Sequence, residues 1–192
     1  MLDRIALDMD GVLYDWEGNL RTLIAEAFDI PEPPRTTTWK MQWMTKDHWT
    51  WYHQNIHRVF GEGEAIRGAL KGAAALLNLT TELAIVTSGT EAACEAKLDW
   101  LDANDVAYDS FYLVPLSEKK PDHCVADLYV DDSPHVVDDV IRETMATAVL
   151  FDQLYNDSYH MEEWPNPRII RAVGWPAAVR IATWYTNRKD GA

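Results

Sequence analysis

The chain has 192 residues, of which 47% are hydrophobic, and its formal net charge at pH 7 is −14. This length and composition suffice for one domain of good size, or for one domain carrying a small insertion. A strongly acidic chain is a poor partner for a nucleic-acid polymer, because phosphate backbones select for lysine and arginine. A small phosphorylated substrate is not excluded, since one metal ion and one lysine can reverse the local field.

Cysteine content and hydropathy narrow the class of protein further. Only two cysteines occur, Cys94 and Cys124, so a disulfide-stapled secreted scaffold is not expected. The chain opens on a charged, strand-like segment instead of a secretory leader. It also contains no apolar run near the roughly 20 residues of a membrane span. We therefore expect a cytoplasmic protein with no membrane partner.

Apolar runs that end in polar residues predict five strands, with helical patterns between them. In chain order the predicted strands are residues 5–7, 83–86, 111–114, 128–130 and 148–151. The predicted helices are residues 15–28, 69–79, 90–104, 134–145 and 176–185. This alternation predicts an α/β sandwich of three layers, with a Rossmann-like parallel sheet between helices. Ligands of such sheets bind at the carboxyl ends of the strands.

One aromatic-rich stretch breaks the alternation after the first strand and helix. We predict that residues 16–68 form a small, mainly helical cap inserted into a core domain made of residues 1–15 and 69–192. Four tryptophans of this stretch are candidates for stacking on a nucleobase: Trp39, Trp43, Trp49 and Trp51. Trp39 and Trp43 are four residues apart and would share one face of a helix, a pattern that is also typical of core packing.

The most informative segment is Asp8-Met9-Asp10-Gly11-Val12-Leu13-Tyr14-Asp15, directly after the first predicted strand. Two carboxylates at the end of a buried strand are costly to hold as anions unless a cation or a reaction uses them. The first carboxylate can attack phosphorus as a nucleophile. The second can protonate the leaving oxygen and later activate water. Gly11 lets the chain turn close to a substrate.

Polar groups that suit a phosphate follow two other predicted strands. Thr87 and Ser88 offer hydroxyls and backbone N–H groups beside the start of a helix, where phosphate oxygens bind readily. Lys119 and Lys120 supply a cation that can neutralise a phosphoryl group during transfer. The sequence alone leaves open which of these two lysines enters the site.

A second pair of carboxylates predicts a metal site at the same edge of the sheet. Asp131 and Asp132 follow the strand that ends at Val130. Together with Asp8 and the backbone carbonyl of Asp10, they form an all-oxygen site of the kind that Mg²⁺ prefers.

The order of these segments resembles that of the haloacid dehalogenase (HAD) superfamily of phosphohydrolases. Asp-x-Asp-Gly-Val-x-x-Asp, a strand ending in Thr-Ser, a lysine and Val-Asp-Asp occur in the order of its four motifs. A closer resemblance is to the 5'(3')-deoxyribonucleotidase family. It is carried by the aromatic cap after the first motif, by residues 149–156, which look like the last strand of that family, and by residues 171–175.

The resemblance implies a role for each matching residue. Asp8 would be the nucleophile and Asp10 the acid/base, with the carbonyl of Asp10 on Mg²⁺. Asp132 would be the remaining metal ligand, with Asp131 as its acidic neighbour. The phosphoryl oxygens would be bound by the residues Thr87, Ser88 and Lys120, with Lys119 as the alternative lysine.

The implied function is Mg²⁺-dependent hydrolysis of nucleoside monophosphates through an aspartyl-phosphate intermediate. One alternative is a HAD phosphatase acting on a sugar phosphate or phosphoglycolate, although such a substrate would favour a more polar cap. A second alternative is a non-catalytic nucleotide-binding module, which would not need the nucleophile. A homodimer is a further expectation.

Overall fold

The computed structural model describes residues 1–159 and 166–190 of the chain. Six strands are formed within these residues: β1 Leu2–Leu7, β2 Thr80–Ser88, β3 Ser110–Val114, β4 Leu128–Asp131, β5 Thr147–Phe151 and β6 Ile169–Ala172. They make one parallel sheet in the order β3-β2-β1-β4-β5-β6. The predicted Rossmann-like sheet is therefore confirmed.

Helices connect the strands. They are α1 Trp16–Phe28, α2 Lys46–Gln54, α3 Ile56–Gly61, α4 Ala69–Leu77, α5 Glu91–Ala103, α6 Lys120–His123, α7 Pro134–Glu143 and α8 Trp175–Asp190. The sequence explains where α7 begins. Ser133 caps the helix by accepting a hydrogen bond from the amide of Val136, and Pro134 occupies the first turn, where no amide donor is needed.

Two hydrophobic clusters cover the two faces of the sheet. Side chains alternate along a strand, so Ile5 and Leu7 of β1 belong to one cluster while Ala6 belongs to the other. The larger cluster also holds buried residues of α1, α3, α4, α5 and α8, and the smaller one those of α7. This arrangement gives the three layers that the sequence predicts.

The pairing of β1 determines where the polar segments meet. Leu7 lies opposite Ile85 of β2 on one side and Val130 of β4 on the other. Asp8 therefore emerges from the same edge of the sheet as the ends of both neighbouring strands, as expected for parallel strands.

The prediction that residues 149–156 are the last strand is wrong. Strand β5 ends at Phe151, a single 3-10 turn follows at Leu154–Asn156, and β6 then pairs beside β5 at the edge of the sheet. Asn156 explains the change of direction, because its side-chain amide donates to the carbonyls of Phe151 and Asp132. The carboxamide oxygen of Asn156 also accepts from the amide of Gln153.

Helices α1, α2 and α3 lie within the predicted cap segment, residues 16–68. The expected helical face of Trp39 and Trp43 is not formed, because α2 begins only at Lys46. Thr45 caps α2 and exchanges hydrogen bonds with His48 in a capping box, which fixes the start of the helix after both tryptophans. The boundaries of the cap stay a prediction. In residues 1–159 and 166–190, no helix is long and apolar enough to cross a membrane.

Candidate active site

The segment after β1 forms a tight turn held by its own backbone. The amides of Leu13 and Tyr14 donate to the carbonyl of Met9, and the amide of Gly11 donates to the carbonyl of Tyr14. Gly11 has a φ of +73°, and a β-carbon there would lie 2.3 Å from Oδ2 of Asp132. The turn thus needs glycine for both its conformation and its close approach to the second acidic segment.

Lys120 joins the first and the last acidic segments. Its side chain is 4% exposed, and Nζ lies 2.8 Å from Oδ1 of Asp8 and 2.7 Å from Oδ2 of Asp131. Burial lowers the pKa of Lys120, but the two carboxylates outweigh burial and leave the pKa raised. Lys120 is therefore a permanent cation at the centre of the site.

Lys119 lies outside this site. Its half-exposed side chain pairs with Asp139 and Glu143 of α7. The structure thus distinguishes the two adjacent lysines that the sequence could not separate: Lys120 contacts the acidic residues of the site, and Lys119 contacts the surface of α7.

Three buried carboxylates form a compact cluster. One oxygen from each of Asp8, Asp131 and Asp132 lies within 4.8 Å of the others. Burial raises the pKa of Asp131 to about 7, although Lys120 opposes the shift. Burial and the charges of Asp8 and Asp131 hold the pKa of Asp132 well above its ordinary value. Three carboxylates this close together repel one another when all are ionised. A hard divalent cation such as Mg²⁺ binds oxygen ligands and would offset that repulsion.

The segment after β5 holds Asp132 in place. The hydroxyl of Tyr155 donates to Oδ2 of Asp132, and Nδ2 of Asn156 donates to its carbonyl over 2.8 Å. Gln153 also donates to the carbonyl of Gly11 in the turn after β1. The sequence interpretation missed these contacts, because it assigned residues 152–156 to a strand.

A second buried lysine, Lys97 of α5, contacts Asp10. Its Nζ donates to Oδ2 of Asp10 at 2.5 Å, to Oγ1 of Thr87 at 2.7 Å and to the carbonyl of Ser88 at 3.0 Å. Burial raises the pKa of Asp10, and the charge of Lys97 opposes that shift. Asp8 and Asp10 are therefore each in contact with a lysine, and the two lysines come from different parts of the chain.

The sequence interpretation did not identify Lys97, although the pattern of α5 contains a signal for it. Four apolar residues of this helix are buried at helical spacing: Ala93, Ala96, Trp100 and Leu101. Lys97 falls on the same face and is fully buried. A lysine on an apolar helix face needs a partner, and this requirement points to a buried carboxylate nearby.

The two predicted phosphate-binding residues of β2, Thr87 and Ser88, differ in how close they lie to the cavity. Thr87 is fully buried, with its hydroxyl accepting a hydrogen bond from Lys97. Ser88 is the last residue of β2, and it lines a cavity together with Gly89 and Thr90. Ser88 is therefore placed at the cavity wall, and Thr87 is placed behind it.

The cavity has a volume of about 370 Å³, with a charged end and an aromatic wall. Its charged end is formed by the side chains of Asp8, Asp10, Lys120 and Asp132. Its aromatic wall is formed by Trp16, Trp39, Trp49, Tyr52 and Phe60. The shape and polarity suit a ligand that carries an anionic group at one end and a planar apolar group at the other.

Two of the four candidate tryptophans reach this cavity. Trp39 and Trp49 line it and are 52% and 39% exposed. Trp43 and Trp51 are partly buried and pack against the larger hydrophobic cluster. Trp16, Tyr52 and Phe60 of the same wall were not singled out from the sequence.

Comparison with known proteins identifies the family. The family model described as "5' nucleotidase, deoxy (Pyrimidine), cytosolic type C protein" matches residues 2–177. The chain belongs to this family. Membership confirms the predicted resemblance and makes the chain a phosphoric monoester hydrolase of the nucleotidase type, which acts on a small phosphorylated substrate.

A similar sequence and similar structures agree with this assignment. A protein of Chlorobaculum tepidum named "Putative 5'(3')-deoxyribonucleotidase" is 27% identical over 188 residues, covering 89% of this chain and 85% of that protein. YfnB of Bacillus subtilis, solved bound to magnesium, has a TM-score of 0.62 at 15% identity over 94% of this chain and 98% of its own. CbbY of Rhodobacter sphaeroides, solved in complex with phosphate, has a TM-score of 0.59 at 14% identity and covers 91% of this chain and 95% of its own. The two structures share the fold.

Proposed function

We propose that this protein hydrolyses nucleoside monophosphates, with deoxyribonucleotides preferred, in a Mg²⁺-dependent reaction that passes through an aspartyl-phosphate on Asp8. The observation that carries the proposal is the position of Asp8 and Asp10 at the charged end of a largely aromatic cavity, each beside its own buried lysine. The name of the matched family and that of the C. tepidum relative support this choice of substrate.

The first step transfers the phosphoryl group to the protein. A carboxylate oxygen of Asp8 forms a bond to phosphorus while the bond from phosphorus to the ester oxygen breaks. The electron pair of the broken bond goes to the ester oxygen, which takes a proton from the carboxyl group of Asp10. The products are the free nucleoside and an acyl phosphate on Asp8.

The second step returns Asp8 to its starting state. A water molecule attacks phosphorus and gives a proton to Asp10, which acts as the general base. The bond between phosphorus and the Asp8 oxygen breaks, and its electron pair returns to the carboxylate. Inorganic phosphate leaves, and Asp10 is protonated for the next turnover.

Charge on the phosphoryl group is balanced by fixed groups. Lys120 is 2.8 Å from Asp8 and so lies beside the reacting phosphorus in both steps. Ser88 at the cavity wall offers its hydroxyl to a phosphoryl oxygen, and Thr87 supports that wall from behind.

The carboxylates of Asp8 and Asp132 and the carbonyl of Asp10 would hold Mg²⁺, with Asp131 beside them. When bound, the ion offsets the charge of the phosphoryl oxygens. The three carboxylates of the cluster, Asp8, Asp131 and Asp132, carry two more formal negative charges than Lys120 offsets, which matches the charge of one divalent ion. The buried cluster of carboxylate oxygens supports this assignment.

The aromatic wall would bind the nucleobase. Trp39 and Trp49 line the cavity with their rings partly exposed, and stacking on one base contributes about 1–3 kcal/mol. An aromatic wall offers few hydrogen-bond partners to the hydroxyl groups of a sugar phosphate, and this favours a nucleotide over that alternative.

The test is phosphate release from a panel of ribo- and deoxyribonucleoside monophosphates, with sugar phosphates and phosphoglycolate alongside, each with Mg²⁺ and with chelator. We expect release from nucleotides, faster from the deoxy forms, and loss of release with chelator. Release only from the sugar phosphates or phosphoglycolate would contradict the substrate. Nucleotide binding without any release would favour a non-catalytic binding module.

A further inference from the structure

Lys97 occupies a position that none of the steps above explains. Its side chain is fully buried, and its ammonium group has three N–H donors, each with a partner. The partners are Oδ2 of Asp10, Oγ1 of Thr87 and the carbonyl of Ser88, at 2.5, 2.7 and 3.0 Å. Because its donors are all used, Lys97 cannot bind a phosphoryl oxygen without giving up one of these bonds. Its contacts therefore serve the protein and not the substrate.

The side chain of Lys97 is also closed off on the cap side. The ring of Phe60, from α3, lies with its centroid 4.7 Å from Nζ. A cation held over an aromatic face and away from water interacts strongly with its surroundings. The position of Nζ, and with it the position of the Asp10 oxygen that it holds, is thereby fixed from two sides.

The two oxygens of the Asp10 carboxyl group differ in their contacts. Oδ2 is bound to Lys97, whereas Oδ1 is buried with no hydrogen-bond partner among residues 1–159 and 166–190. An unpaired buried oxygen is costly, so native structures rarely keep one without a use. Asp10 lines the cavity and its side chain is 20% exposed, so the carboxyl group that Lys97 holds is within reach of a substrate or a water molecule there.

We propose that Lys97 is a positioning residue that anchors Oδ2 of Asp10 and so holds the carboxyl group at the cavity for both proton transfers. The inference rests on the proposed function, because it assigns the proton of each step to Asp10. Lys120 serves the nucleophile and Lys97 serves the acid/base, so removal of Lys97 slows proton transfer and leaves phosphoryl binding in place.

The test compares wild-type protein with Lys97→Met, which keeps the length of the side chain and removes its charge and donors. With a deoxyribonucleoside monophosphate the leaving alkoxide needs a proton, so kcat should fall about 100-fold. KM should stay within about 3-fold of the wild type, because binding is untouched. Lys119→Met, a lysine on the surface of α7, is the matched control and should retain wild-type kcat and KM.

A change of leaving group separates positioning from general damage to the fold. With 4-nitrophenyl phosphate the leaving group needs no proton, so Lys97→Met should form the acyl phosphate at a rate close to that of the wild type. Hydrolysis of the acyl phosphate still needs Asp10, so stopped-flow traces should show a burst of about one nitrophenolate per active site, then slow turnover. Lys97→Gln provides a second variant if Lys97→Met does not fold.

Two results would overturn the inference: an unchanged kcat in the variant, or equal losses on both substrates with no burst. Failure of the proposed function has a different signature. The wild-type protein would then release no phosphate from nucleoside monophosphates while still cleaving 4-nitrophenyl phosphate, and the burst comparison would still decide the role of Lys97.

Discussion

Asp8 and Asp10 are two residues apart in the chain, yet the lysine in direct contact with each carboxylate is a different one. Lys120 contacts Asp8 from α6, and Lys97 contacts Asp10 from α5. The segment that carries both residues turns sharply at Gly11, and both carboxylates line the same cavity. Their direct contacts are nevertheless with two different lysines. A pair arranged in this way can carry opposite roles, since burial and the charge of Asp8 raise the pKa of Asp10 and so favour a proton on that residue.

We predict that Asp8→Asn lowers kcat by about 10⁴-fold or more, because an amide cannot form the acyl phosphate. The fold should remain, since asparagine keeps the shape of the side chain. Phosphate release and thermal unfolding of the purified variant measure the two effects. Asp102→Asn, at an exposed carboxylate of α5, is the matched control and should keep wild-type activity. Wild-type turnover in Asp8→Asn would rule out the covalent step.

The tryptophans of the cavity wall predict a selective loss of affinity. Trp39→Ala and Trp49→Ala should each raise KM for nucleoside monophosphates by about 10-fold, the cost of one lost stacking contact. The KM for 4-nitrophenyl phosphate should change less, because its ring is attached directly to the ester oxygen, with no sugar to carry it to the place that a nucleobase occupies. Trp184→Ala is the control, since this half-exposed ring lies on α8 beside Arg188. An equal change of KM for both substrates would argue against base stacking.

The sequence allowed the acidic residues to be predicted because each follows an apolar run within one to three positions. It could not separate Lys119 from Lys120, since neighbouring residues of one chain can face opposite directions. Nor could it separate Trp39 from Trp43, because their orientations depend on where α2 begins. Long-range contacts such as that of Lys97 with Asp10 are fixed only by packing.

At the scale of elements, α4 and α8 pack through a glycine and a tryptophan. Trp175, at the start of α8, is buried, and its indole Nε1 donates to the carbonyl of Val12 in the turn after β1. A β-carbon on Gly72 of α4 would lie 1.9 Å from Cε3 of Trp175. The two helices thus support the turn that carries Asp8 and Asp10. They can pack this closely because glycine at position 72 has no side chain.

We predict that Gly72→Ala destabilises the protein by about 1–3 kcal/mol, because overpacking against Trp175 outweighs the better helix propensity of alanine. Gly61→Ala is the matched control. A β-carbon at Gly61, in α3, would lie 3.8 Å from the nearest atom, so that variant should be as stable as the wild type or slightly more stable. Urea unfolding of both variants gives the comparison. Equal stability of the two would show that Trp175 moves aside freely.

The elements themselves were predictable where hydrophobic periodicity is strong, as in β1, β2 and α5. Strand β6 was missed because Ile169–Ala172 is only four residues long and half of it is not fully buried, so it carries little pattern. The turn at Leu154–Asn156 was missed because its apolar and aromatic residues continue the pattern of β5. Its direction is set by hydrogen bonds from Asn156, which no local rule predicts.

At the scale of the whole molecule, the buried acidic cluster couples stability to pH. The pKa of Asp131 rises from 3.8 to about 7 on folding, so the folded protein keeps a proton that the unfolded chain has lost between those values. This contribution to stability is complete below the unfolded pKa and is lost as the pH rises through about 7. A bound cation replaces the proton, so its effect grows over the same range.

We predict that saturating Mg²⁺ raises the Tm of chelator-treated protein by about 5–10 °C at a pH of about 7.5, and by much less at about pH 5.5. At the lower pH Asp131, which lies beside the proposed ligands, holds a proton and so adds no negative charge that would attract the ion. Differential scanning calorimetry at the two pH values measures the difference. Asp132→Asn should lack the Mg²⁺-dependent increase at both. An equal increase in Tm at both pH values in the wild type would contradict the proposed ligand set.

A homodimer and a cytoplasmic location stay predictions at this scale. The family match covers residues 2–177 and supports the activity of the chain, but it does not test its assembly or its location.

The positions of the tryptophans allow ligand binding to be followed by intrinsic fluorescence. Trp100 and Trp175 are buried, whereas Trp39 and Trp49 lie on the cavity wall with much of each ring accessible to solvent. Indole emission shifts to longer wavelength as water reaches the ring, so the two pairs emit in different parts of the spectrum. A base stacked in the cavity, as proposed, should quench the long-wavelength emission of Trp39 and Trp49. Occupancy can therefore be followed by intrinsic fluorescence, with no label and no turnover.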